Sequence, residues 1–192
     1  FEELDKGEPD GTQVTSLGEV RLGRRARPLD LGDVGLVWCA AKGPGGKLYL
    51  GTGYDGKIFR QDGDRLTEIA TTGGLVVTAL AFDKDGDLYI GALPEATILR
   101  VKAPRKVVAG KPVEAEKWAA LPEGTKHVWA LAFDAGGRTL YAGTGPEGKL
   151  FAIGRDGKPQ VYLDSEEEQI LSLLPRDKGV ILAGTSPGAK LL

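Results

Sequence analysis

The sequence predicts an all-β fold, a β-propeller with about four blades of four antiparallel strands. An apolar segment, a glycine turn and a second apolar segment recur four times along the 192 residues. The repeats begin at Val37, Val77, Val128 and Ile170, so successive starts are 40, 51 and 42 residues apart. Glycine accounts for 29 residues, about twice its usual share of ~7%. Short strands and turns at this period are typical of propeller blades.

The first two strands of each unit are predicted to form a hairpin. Between them stand Gly45-Gly46, Asp85-Gly86 and Gly136-Gly137 in the first three units. Such pairs supply the positive φ that tight hairpin turns need. The flanking segments are rich in Val, Leu, Tyr and Phe, as strands are.

Third strands are predicted at residues 57–60, 97–101 and 149–153, and weaker fourth strands at 66–69 and 160–163. An insertion at 102–117 explains the long second interval. We expect the least order there, and a short helix over 114–120 is compatible with the sequence. The predicted division is an N-terminal segment, 1–35, followed by blades at 36–73, 74–122, 123–165 and 166–192, the last incomplete.

The two ends of the chain leave two interpretations open. Residues 18–22 and 28–31 resemble the outer strands of a split blade, and residues 189–192 lie within a third strand. In the first interpretation, the two ends pair and close a four-bladed ring. In the second, the chain is the leading part of a six-to-eight-bladed propeller. Natural sheets avoid unpaired edges, which favours the fragment and predicts self-association or a missing propeller half as partner.

Composition excludes two classes of partner. The net charge is −2, which gives no electrostatic footprint for nucleic acid. No run of 18 apolar residues is present, so no membrane span is predicted. The single Cys39 lies in an apolar run and is interpreted as a core residue.

Two motifs imitate ligand sites. The pattern GxGxxGK occurs at 51–57 and again at 143–149. A P-loop needs Ser or Thr after the lysine, but Ile58 and Leu150 follow, and β-type segments replace the required helix. The acidic run 83–87 departs from the calcium-loop order, with Pro94 where a Glu is needed. Both are interpreted as turns, and no metal or cofactor is predicted.

Residues 37–41, 48–60 and 140–151 resemble the repeats of bacterial WD40-like propeller proteins of undefined function. The similarity covers about residues 14–192. It implies the propeller fold and an exported protein, periplasmic or extracellular. The Gly-His and Trp-Asp dipeptides of true WD40 repeats are absent.

The loops that enter the inner strands and those that join second to third strands are expected at one mouth of the channel. His127 is the only histidine, which argues against a histidine-based triad or metal cluster, and Glu166–Glu168 is interpreted as a solvated loop. Large residues at 38 and 129 either pack between blades or stack on a ligand. The predicted binding residues are Trp38, Tyr54, Asp55, Glu95, His127, Trp129 and Glu147.

Aromatic side chains surrounded by acidic ones are typical of a binding surface, and no catalytic residue is predicted. The sequence therefore predicts a non-catalytic binding or scaffold module for a protein or a glycan. The alternative is a propeller enzyme, lactonase-like or quinoprotein-like, whose site is completed by residues outside this sequence.

Overall fold

The structure is a computed structural model that describes residues 11–23, 28–32, 34–176 and 179–192. It divides into two compact units, 1–30 and 31–192. In the first unit, β1 (Thr12–Val14) pairs antiparallel with β2 (Val20–Leu22). Residues 28–32 form no strand, and residues 1–10, 24–27 and 33 of the predicted N-terminal segment lie outside the description. Its role in a split blade stays a prediction.

The second unit begins with two sheets of antiparallel strands, which we call blades I and II. Blade I contains β3 (Val37–Lys42), β4 (Leu48–Thr52), β5 (Lys57–Asp62) and β6 (Arg65–Thr71). Blade II contains β7 (Val76–Phe82), β8 (Leu88–Leu93), β9 (Thr97–Val101) and, after β10 (Val113–Glu114), β11 (Glu116–Ala120).

Blades III and IV continue the pattern. Blade III contains β12 (His127–Phe133), β13 (Leu140–Gly145), β14 (Lys149–Ile153) and β15 (Pro159–Asp164). Blade IV contains β16 (Gln169–Pro175) and β17 (Ile181–Ser186). The main chain of residues 190–192 hydrogen-bonds to β17 through Ala183 and Thr185.

The predicted short helix over 114–120 is wrong. This segment forms β10 and β11, and β11 completes blade II by pairing with β9. Trp118 packs edge-on against Tyr89 at 4.7 Å between ring centroids, while Ala119 is buried. Contacts with blade II therefore override any local helical preference. The described ranges contain no α-helix, and Pro44–Gly46 and Pro104–Lys106 form 3-10 turns.

The insertion forms a strap, residues 102–115, that runs from blade II across to the outer edge of blade I. There β10 pairs in parallel with β6, and Ala115 N donates to Thr71 O at 2.9 Å. The buried Arg60 guanidinium donates to three strap carbonyls, those of Pro104, Arg105 and Val107, at 2.9, 3.1 and 3.2 Å. The region expected to be least ordered is therefore tied down by a charged side chain.

Glycine in the second strand lets neighbouring blades approach. A methyl group on Gly51 would lie 2.5 Å from Val77 Cγ1, one on Gly91 3.0 Å from Val128 Cγ1, and one on Gly143 2.7 Å from Ile170 Cγ2. Val77, Val128 and Ile170 are completely buried. The first glycine of the recurring GxGxxGK pattern is therefore required by the close packing of neighbouring blades. Its third glycine, Gly56 or Gly148, turns the chain with φ of +58° or +53°.

Each inner strand carries a β-bulge at the same repeat position. The register with the second strand shifts there, leaving Trp38, Thr78, Trp129 and Leu171 as the extra residues. A bulge bends the strand and re-aims the side chain at the extra position. The bulges therefore set the direction of the Trp38 and Trp129 side chains.

Candidate functional site

The loops named in the sequence analysis lie at one end of the blades. Inner and second strands are antiparallel with a shared register, in which Val37 pairs with Thr52, Val77 with Ala92, Val128 with Thr144 and Ile170 with Thr185. The loops that enter the inner strands therefore lie beside the loops that leave the second strands. We call this end of the blades the upper face.

Three residues on the upper face form what we call the Trp129 cluster: His127, Trp129 and Gln169. Trp129 Nε1 donates a hydrogen bond to Gln169 Oε1 at 2.6 Å, which links blade III to blade IV. The ring of His127 lies against Trp129, with centroids 5.0 Å apart and planes tilted by 44°. A methyl group on Gly145 would overlap Gln169, so the pair fits only over a glycine.

His127 has an unusual nitrogen. Its Nδ1 atom is buried and has no hydrogen-bond partner among the described residues. Buried polar atoms without partners are rare and call for an explanation. The hydrogen-bonding capacity of this nitrogen is therefore unused among the described residues.

Glu147 lies next to the loop that leads into β12. Its carboxylate pairs with Lys149 Nζ at 2.8 Å. A methyl group on Gly124, in the loop before His127, would lie 2.9 Å from Glu147 Oε1. The structure therefore places Glu147 beside the loop that precedes the Trp129 cluster.

Tyr54 and Asp55 occupy the corresponding loop of blade I. The Asp55 carboxylate accepts from Thr52 Oγ1 at 2.6 Å and pairs with Lys57, so it braces its own turn. Tyr54 is 76% exposed and adopts φ +75°, a strained value for a non-glycine residue. The equivalent loops of the other blades have Pro94, Pro146 and Pro187 at this position.

Glu95 and Trp38 lie apart from the cluster. Glu95 pairs with Lys117 at 3.0 Å beside a cavity of about 110 Å³ between blades I and II, lined by Thr72, Gly74 and Pro94. Trp38 is half exposed at the bulge of blade I. Within the described ranges, no hydrogen bond, ion pair or ring contact joins Trp38, Tyr54 or Glu95 to the Trp129 cluster.

Sequence reasoning missed Gln169, although a signal was present. The position before the first residue of each repeat is Leu36 and Val76 in the first two units but His127 and Gln169 in the last two. A change from apolar to polar at equivalent repeat positions marks the junction between blades III and IV. The partner of Trp129 could have been found from it.

The solvated-loop interpretation of Glu166–Glu168 is wrong for Glu167. This side chain is buried, accepting from Gly188 N at 2.6 Å and Lys190 Nζ at 2.9 Å. The hydrogen bond from Lys190, helped by that from Gly188, lowers the pKa of the Glu167 carboxyl. Glu167 therefore holds the loop after β17 in place.

Metal ligands do not converge in the described ranges, where no three His, Cys, Asp or Glu side chains form a group that could hold an ion. The acidic run 83–87 closes a hairpin: Asp83 Oδ1 accepts from Asp87 N, and Asp87 Oδ1 from Ala103 N, each at 2.9 Å. The same ranges contain no helix long and apolar enough to cross a membrane.

Known structures share this fold. No family model matches the chain, and no relative was found among curated proteins. Regucalcin, a calcium-binding protein from Agrobacterium tumefaciens, matches with a TM-score of 0.60 and 16% identity over 76% of this chain and 52% of its own. The pyrroloquinoline-quinone-bound (PQQ-bound) aldose sugar dehydrogenase from Streptomyces coelicolor matches with a TM-score of 0.60 and 19% identity. The match covers 83% of this chain and 62% of the dehydrogenase.

A third match is a catalytically inactive virginiamycin B lyase from Staphylococcus aureus, with quinupristin, in which a histidine is replaced by alanine. The TM-score is 0.63, with 14% identity over 93% of this chain and 56% of that one. The chain thus spans between half and two thirds of the length of these three structures. At such identities the likeness shows the fold, so the predicted class is confirmed: the chain consists of β-propeller blades.

The function predicted first is wrong. Solved structures that share the fold include a lyase and a dehydrogenase. This finding overturns the non-catalytic binding module and favours the enzyme alternative.

Proposed function

We propose that the chain is part of a propeller enzyme whose substrate binds on the upper face, over the Trp129 cluster. The observation that carries this proposal is the buried, unpartnered Nδ1 of His127, in a ring fixed against Trp129. Imidazole is the side chain that most often transfers protons as a general acid or base in enzymes. His127 is also the only histidine available in this sequence.

The residues around His127 can perform three tasks. Trp129 offers a flat apolar surface, and its hydrogen bond to Gln169 fixes the orientation of that surface. His127 can accept a proton from the substrate and return it to the leaving group. Glu147, paired with Lys149, supplies a carboxylate beside the same loop. Trp38, Tyr54, Asp55 and Glu95 are proposed as the more distant contacts of a larger substrate.

A lyase reaction suits these residues best. It needs one proton removed and one returned while a bond of the substrate breaks and a double bond forms. It consumes neither water nor a redox cofactor. The fold match to a lyase that a histidine-to-alanine change inactivates supports the same class. The resemblance to bacterial WD40-like repeat proteins, with the export it implies, stays a prediction.

The test is a turnover assay on quinupristin, a panel of lactones, and aldoses with added pyrroloquinoline quinone. We expect turnover of a substrate that opens by elimination, and a loss of about 10²-fold or more in kcat/KM for His127→Gln. Lys126→Gln, at the exposed neighbouring position, is the matched control and should keep its activity.

Two results would contradict the proposal. One is turnover that His127→Gln leaves unchanged. The other is the absence of turnover across the whole panel. Oxidation of an aldose with a quinone absorbance band would instead support the dehydrogenase class.

A further inference from the structure

The strap, residues 102–115, carries a charge opposite to that of the chain as a whole. It contains four basic residues and one acidic one, which gives it a net charge of +3 in a chain whose net charge is −2. All four basic side chains are exposed, and they are Lys102, Arg105, Lys106 and Lys111. The strap is therefore a basic patch on an acidic protein.

Little of this positive charge is neutralised within the protein. Lys102 Nζ lies 3.6 Å from the carboxylate of Glu116, which Arg100 also binds at 2.7 Å. The other three basic residues of the strap form no ion pair with any residue that the structure describes. Three positive charges are therefore available to an anionic partner.

An apolar segment lies between these basic residues. Residues 107–110, with the sequence Val-Val-Ala-Gly, have no polar side chain. Val107 packs against the core of blades I and II, whereas Val108 is 65% exposed. A hydrogen bond from Lys111 N to Val108 O at 3.1 Å closes the turn that follows, in which Gly110 has φ +76°. The tip of the strap thus presents an apolar side chain with basic residues on both sides of it.

The rest of the structure holds this tip in position. The three hydrogen bonds from Arg60 fix the first half of the strap, and the pairing of β10 with β6 fixes its end. A surface that is ordered before it binds loses less conformational entropy on binding. The strap is therefore a preformed binding surface.

We infer that the strap binds the surface of an anionic lipid bilayer. Its basic side chains would contact the lipid headgroups, and Val108 would reach the boundary between headgroups and acyl chains. Apolar burial and attraction to anionic lipids both contribute to the binding of peripheral proteins. An acidic polypeptide would match the charges of the strap but not its apolar tip. The inference is independent of the proposed enzymatic activity.

The test is flotation of the protein with vesicles of phosphatidylcholine and phosphatidylserine in a ratio of about 7:3, at ~0.1 M salt. We expect the protein to float with these vesicles and not with vesicles of phosphatidylcholine alone. Binding should weaken at ~0.5 M salt, because salt screens the attraction between exposed charges.

Two variants separate the charges of the strap from its apolar tip. Arg105→Gln with Lys106→Gln should weaken vesicle binding about tenfold or more, because two headgroup contacts are lost. Val108→Trp should strengthen binding, and the emission of the new tryptophan should shift to shorter wavelength when anionic vesicles are added. The control, Lys126→Gln with Arg138→Gln, removes the same charge from two exposed loops of blade III and should leave binding within about twofold of wild type.

Absence of binding to the anionic vesicles would overturn the inference, and so would equal binding to phosphatidylcholine alone. An equal loss in the two double variants would assign the binding to the overall charge of the protein instead of the strap. An emission spectrum of Val108→Trp that the vesicles leave unchanged would show that the tip does not reach the membrane. Binding to immobilised polyglutamate without binding to vesicles would make the partner an acidic protein.

Discussion

The junction between blades I and II and the junction between blades III and IV follow the same repeat but are packed differently. At the first, Tyr49 meets Phe82 edge-on at 4.8 Å. At the third, the equivalent Tyr141 has Pro175 opposite it, and a cavity of about 150 Å³ lies between them. The cavity is also lined by Asp134, Arg176 and Ile181.

The buried apolar core is also larger at the first junction than at the third. The first junction has a large buried cluster that includes Tyr49, Ile58, Val77 and Leu88, and the strap closes its outer edge. The buried cluster at the third junction consists of Leu150, Ile170 and Ala183. A common backbone template therefore does not give each junction the same stability.

The two junctions also differ in their relation to the candidate site. The Trp129 cluster bridges blades III and IV, at the junction with the smaller core. Functional regions are commonly drawn from the less stable parts of a fold. The strap and the Tyr49–Phe82 pair add contacts at the first junction that the third junction lacks.

The largest effect is expected for Arg60→Met, which removes the side chain that holds the strap. Three strap carbonyls lose their donor, and Asp62 loses its charged partner. We expect the free energy of unfolding to fall by ~3–5 kcal/mol, measured by urea denaturation. Exchange of amide hydrogens in residues 102–115 should become faster.

The matched control is Arg105→Met, because Arg105 is exposed on the strap itself. It should change stability by less than ~0.5 kcal/mol. A similar loss in both variants would show that the strap adds nothing special to the first junction.

A smaller effect is expected for Asp62→Asn, and it should depend on pH. Hydrogen bonds from Arg60, and then from Lys47, lower the pKa of the Asp62 carboxyl. A lowered folded-state pKa adds stability that is present above the unfolded value of about 3.9 and is lost as pH falls toward the folded value. Wild type should exceed Asp62→Asn by ~2 kcal/mol at pH 7.

That difference in the free energy of unfolding should shrink as the pH falls from 5 to 2. Urea denaturation at each pH measures it. Asp85→Asn serves as the control, since Asp85 forms an exposed pair with Arg155 worth less than ~1 kcal/mol. A difference for Asp62→Asn that stays constant down to pH 2 would contradict the assignment.

The smallest effect is expected at the third junction. Pro175→Phe places there the residue type found opposite the tyrosine at the other two junctions, Phe82 and Phe133. Filling the cavity should raise the free energy of unfolding by ~1 kcal/mol. Pro175→Ala, which removes the ring without filling the space, should give no gain. A destabilised Pro175→Phe would show that this cavity cannot accept a phenyl ring.

The sequence by itself determined the repeat and the hairpins. Turn glycines at 45, 86 and 137 adopt φ values of +71°, +87° and +61°, as the hairpin prediction required. The apolar segments on either side of these turns predicted the strands, and the spacing of the repeats predicted the fold class. These features depend on residues close together in the chain, so a local pattern is enough to reveal them.

Only the tertiary structure decided the strap, the burial of Glu167 and the partner of Trp129. Arg60 contacts carbonyls more than 40 residues away, and Trp129 bonds to a glutamine 40 residues away. Such pairings depend on how blades pack beside one another, and no local pattern encodes that. The same sequence segment, 114–120, allowed a helix or a strand, and its contacts with blades I and II selected the strand because they satisfy its backbone groups and bury Ala115 and Ala119.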